Sequence, residues 1–121
     1  MRKIYLLLLC LFLTFTSYSQ TTKPEVAIIP EPVSLKINNG QFTLPRNIVI
    51  AASAHPQLKT TVAFLRERLI TATGRNVTVS KPSTTATIRL VLLQTPDNTI
   101  GKEGYQLAVT PLNIVIRANQ P

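Results

Sequence analysis

Ile48-Val49-Ile50-Ala51, the stretch Pro56 to Gly74 (PQLKTTVAFLRERLITATG) and Asn76-Val77-Thr78-Val79 decide the fold. The first is a short apolar run rich in β-branched residues, the type of strand that is covered on both faces. The second carries Leu58, Val62, Leu65, Leu69 and Ala72 at spacings of three and four, which form one stripe on a helix. Pro56 suits a first helical turn, where its missing N–H is not needed. Gly74 stands where a left-handed residue ends a helix. The spacing therefore predicts a helix from about Pro56 to Thr73. Such a helix is marginal alone in water and has to lay its stripe on a sheet. Asn76 to Val79 supplies the next strand of that sheet.

Further strands are expected on both sides of this unit. Val33, Leu35 and Ile37 alternate with Ser34 and Lys36, and Phe42 and Leu44 resume the alternation beyond Asn38-Asn39-Gly40. An Asn-Gly pair tolerates the positive φ of a tight turn, so Val33–Leu44 reads as a hairpin of two short strands. Thr87 to Leu93 reads as a strand ending at the turn cluster Gln94-Thr95-Pro96-Asp97-Asn98. Tyr105 to Val109 alternates strongly, turns at Thr110-Pro111-Leu112-Asn113 and pairs with Ile114 to Arg117. About seven short strands and one helix are thus expected, with one face of the sheet covered.

The chain opens on a different pattern. Met1-Arg2-Lys3 is positive, Ile4 to Phe15 is apolar but for Thr14, and Ser17-Tyr18-Ser19 offers small residues at a cleavage site. This is the order of a secretory signal peptide over residues 1–19, with Gln20 as the new N-terminus. The apolar run is too short for a stable membrane span, which takes about 20 residues. Cys10 is not read as a lipidated cysteine, because bulky leucines precede it and the apolar run continues beyond it. The expected location is periplasmic or extracellular. Residues 20–32 form an extended lead-in, since Pro24, Pro30 and Pro32 disfavour a helix. Residues 33–121 form the domain.

Composition removes several function classes. Cys10 is the only cysteine, so the exported chain has neither disulfides nor thiolate metal sites. The formal charge of +8 falls to +6 once Arg2 and Lys3 are removed. These charges are scattered, with Arg66-Glu67-Arg68 the tightest group. Only Phe42, Phe64 and Tyr105 remain as aromatic residues, too few for stacking platforms on nucleic acid. No nucleic-acid partner is expected.

Acid–base hydrolysis needs two positioned carboxylates. The acids are Glu25, Glu31, Glu67, Asp97 and Glu103, none in an Asp-Glu pair or four residues from another. His55 is the only histidine, read as a helix cap or surface residue. It cannot by itself make a metal cluster or a Cys/His dyad. Gly74, Gly101 and Gly104 are too dispersed to cradle phosphate. Asn76-Val77-Thr78 fits the glycosylation acceptor pattern, but reads more simply as the start of a strand. Glu103-Gly104-Tyr105 is a glycine turn into a strand. No catalytic, cofactor-binding or metal-ligating residue is assigned, and no cofactor is expected.

Three ordered pieces carry a resemblance. Ile28-Ile29-Pro30-Glu31-Pro32, followed by Gly40-Gln41-Phe42-Thr43-Leu44 and Ile48, resembles the opening of bacterial β-N-acetylhexosaminidases of glycoside hydrolase family 20. The helix closing on Ala72-Thr73-Gly74 is similar to that family's first helix. Glu103-Gly104-Tyr105-Gln106-Leu107-Ala108-Val109 with Ile114-Val115-Ile116-Arg117-Ala118 resembles its hairpin. The resemblance spans about Ile28 to Ala118. It implies an α+β fold, an antiparallel-rich sheet with helices on one face, standing before a (β/α)₈ barrel. In the family the barrel carries an Asp-Glu pair and uses the substrate's acetamido oxygen as nucleophile. No position here corresponds to those residues.

The family would continue with a glycine-rich turn, a second helix and the barrel. The resemblance thus implies a truncated, inactive accessory domain that reaches glycan only through its parent's barrel. Two alternatives stay open. One is the front domain of another glycosidase, such as an O-N-acetylglucosaminidase or an α-glucuronidase. The other is a stand-alone exported module that binds carbohydrate or the cell envelope.

Overall fold

The computed structural model describes residues 26–121. The signal peptide, Cys10, Pro24 and Glu25 lie outside the described residues. The chain divides after Ile37 into two units. Within the first, Val26–Ile37 has neither helix nor strand, as the prolines dictate, and the Ile29–Pro30 peptide is cis.

The second unit, Asn38–Pro121, carries five strands and one helix. They are β1 (Asn47–Ala52), α1 (Leu58–Thr73), β2 (Asn76–Ser80), β3 (Ile88–Leu92), β4 (Tyr105–Val109) and β5 (Ile114–Ala118). The sheet order is β2-β1-β3-β5-β4. Three of its pairings are parallel (β1 with β2, β1 with β3, β3 with β5), and only β4 with β5 is antiparallel. The sheet is mixed, which corrects the expected antiparallel-rich arrangement within an α+β fold.

The connections explain the strand directions. A helix joins β1 to β2, and a helical crossover returns the chain so that both strands run the same way. The loop from β2 to β3 is only Lys81–Thr87, short for a parallel crossover. Register makes it sufficient. Val79 and Ile88 both pair with Ile50, so β3 begins at the level where β2 ends. The loop has only to step across β1. The tight Thr110–Asn113 turn, closed by Thr110 N–H on the Asn113 carbonyl at 2.9 Å, makes β4 and β5 a hairpin.

The hairpin expected over Val33–Leu44 does not form. Among the described residues this stretch has no strand, so the expected seven strands are five. An isolated two-stranded hairpin is marginal at best, and alternation alone supplies no partner. Gly40 does take a positive φ of 115°, and a Cβ there would lie 3.2 Å from Pro111 Cγ.

Ile48, Ile50, Val62, Val77, Ile88 and Leu90 form the core, with Ile48, Ile50 and Val77 fully enclosed. Leu44, Leu65, Leu69, Ile70, Ile114 and Ile116 are partly buried against it. Leu58 and Val62 are the buried helix residues, and Ile70 rather than Ala72 continues the stripe. The helix ends as expected. Gly74 is left-handed at φ 64°, and its N–H reaches the Ile70 carbonyl at 2.8 Å. Two arginines tie α1 and its exit to the sheet and its approach. Arg66 Nε donates to the Val77 carbonyl at 3.0 Å on edge strand β2. Arg75 donates to the carbonyls of Leu44 and Pro45, anchoring the entry to β1.

Candidate functional site

Two regions of the second unit could serve a function: the crevice at the ends of the parallel strands and the broad faces of the sheet. The crevice follows from topology. The chain leaves β1 toward α1 and β2 on one side, and leaves β3 toward β4 and β5 on the other. Such a divergence opens a cleft at the carboxyl ends of the strands.

Two open grooves lie there. One, about 370 Å³, is bounded by Ala52–Pro56, by Leu58, Lys59 and Val62 of α1, and by Val79 and Ser80 of β2. The other, about 510 Å³, lies between Ser53–His55, Pro82 and Leu92–Gln94. Ser53 is engaged in holding β1 to β3. Its N–H donates to the Leu90 carbonyl at 2.9 Å, and its Oγ accepts from Leu92 N–H at 3.1 Å. His55 lies in both linings and is exposed on the surface. The helix cap position is Gln57, which makes no side-chain cap. His55 contributes its carbonyl, which accepts from Leu58 N–H at 3.1 Å.

No carboxylate lines either groove, so the proton transfers of sugar hydrolysis have no pair of groups there. The acids lie elsewhere. Glu31 belongs to the first unit, and Glu67 is on the exposed side of α1. Asp97 and Glu103 lie in the β3–β4 loop, where Asp97 has a structural role. Its Oδ1 accepts from Thr99 Oγ1 at 2.6 Å and from Thr99 N–H at 2.8 Å. These side-chain and backbone bonds hold its pKa below the ordinary 3.8. Asn119 fastens the same loop to the end of β5, donating from Nδ2 to the Asp97 carbonyl at 2.9 Å and to that of Gly101 at 2.6 Å. Among the described residues no group of three or more His, Cys, Asp or Glu could hold a metal ion.

The remaining motifs are placed as follows. Asn76 is exposed as the first residue of edge strand β2, while Val77 beside it is buried. In Glu103-Gly104-Tyr105 the glycine is needed for space, since a Cβ on Gly104 would fall 2.1 Å from the Ile100 carbonyl oxygen. Arg66 is tied to the sheet, and Arg68 stacks over Phe64 with its guanidinium carbon 5.1 Å from the ring centre.

The faces of the sheet differ sharply. Residues directly paired across a ladder share a face, so the register assigns every strand residue to one side. Ile48, Ile50, Val77, Val79, Ile88, Leu90, Ile114, Ile116, Tyr105, Leu107 and Val109 share the helix side. The opposite face carries Asn47, Asn76, Thr78, Ser80, Arg89, Gln106 and Arg117 among smaller apolar residues. The helix backbone lies closest to β1 and β2, and its Val62 shares the core with Ile88 and Leu90 of β3. Beyond it, Tyr105, Leu107 and Val109 remain 62%, 48% and 51% exposed. Phe64, on the outer side of α1, is also exposed. Helix-side coverage is therefore half complete, where the sequence pattern led one to expect a covered face.

The chain, whose second unit has this strand–helix–strand start and closing hairpin, matches glycosyl hydrolase family 20, domain 2, over residues 25–121. The chain belongs to that family. Family 20 domain 2 is an N-terminal, non-catalytic domain of hexosaminidases. No individual curated protein matches the chain. Among the described residues of this family 20 domain, no helix is long and apolar enough to cross a membrane.

Proposed function

We propose that the chain is the accessory domain of an exported β-N-acetylhexosaminidase, and that the helix side of its sheet is completed by the second helix that the family resemblance implies, with the catalytic barrel of the same enzyme packed on that side. One observation carries the reading. In the second unit, Tyr105, Leu107 and Val109 form an exposed apolar strip on that side along edge strand β4, which α1 does not cover. An exposed apolar strip of this kind marks a contact site. The parent would remove terminal N-acetylhexosamine by substrate-assisted catalysis, with its catalytic pair outside this chain. Export rests on the signal-peptide pattern of residues 1–19, with periplasmic or extracellular location after cleavage near Ser19.

The test is turnover of an aryl N-acetylglucosaminide by the purified chain and by the same chain joined to the catalytic domain encoded with it. Activity only in the joined protein is expected. Turnover by the 121-residue chain alone would overturn the accessory role.

A further inference from the structure

We draw no further inference here: the strongest candidate, the crevice where the chain leaves β1 and β3 in opposite directions, rests on the N-terminus of α1 and on exposed side chains, with no unpartnered buried polar group among the described residues aimed into it.

Discussion

Replacing Leu107 by alanine should cost little in the isolated chain and much more where the catalytic domain is present. Leu107 pairs with Ile116 on the helix side and is 48% exposed. Fully burying a leucine stabilises by about 1.5–3 kcal/mol, so the half-buried side chain contributes about 1 kcal/mol in the isolated chain. For a domain of this size that corresponds to a fall of roughly 4–8 °C in Tm. If the second helix or the barrel of the parent covers the strip, the same substitution leaves a cavity and costs about 2–5 kcal/mol. Ile50→Ala is the control. Ile50 is 0% exposed under α1, so its loss costs about 2–5 kcal/mol in both settings. Calorimetric unfolding of the wild type and both variants, alone and joined to the catalytic domain, reads the difference. Equal small losses for Leu107→Ala in both settings, with Ile50→Ala behaving as expected, would refute coverage of the strip.

Two further substitutions test local structure. Gly74→Ala should lower stability by about 1 kcal/mol in denaturant melts, because φ is +64° and open space around the missing Cβ leaves only the left-handed backbone penalty. A neutral result would show that the helix end adjusts freely. Thr99→Val should raise the Asp97 pKa toward 3.8, since the side-chain bond is the main cause of its depression. The sign follows from a folded value lying below the unfolded one. The stabilising contribution is present above pH 3.8 and is lost as pH falls through the lower folded value. An Asp97 titration by NMR that is unchanged in the variant would contradict that cause.

Much of the second unit was legible because its signals are local. The β-branched run at Ile48–Ala51, the alternation of Tyr105–Val109 and the stripe ended by Gly74 each specify an element within a residue or two of its observed ends. Strand direction was not legible. Alternation reads alike in parallel and antiparallel strands, and the parallel placement of β3 depends on the register of Ile88 with Ile50. Val33–Leu44 failed for the complementary reason, since a pattern that favours a strand does not provide a partner for it. The crevice arises from connections that diverge after Ser53 and Leu93, a tertiary property with no local signature. For the candidate docking face, the half that sequence supplies is the apolar alternation of Tyr105, Leu107 and Val109. The other half is that α1 lies over the β1–β2 side of the sheet and leaves β4 uncovered, which depends on where the helix lies.

Hydroxyl-radical footprinting of the isolated chain and of the joined enzyme, read by mass spectrometry, tests the docking claim most directly. Protection of Phe64, Tyr105 and Leu107 in the joined enzyme, with Gln106 and Arg117 on the opposite face labelled equally in both, is the predicted result. Equal labelling of Tyr105 and Leu107 in the two proteins, or protection confined to the Arg89–Arg117 face, would contradict the account.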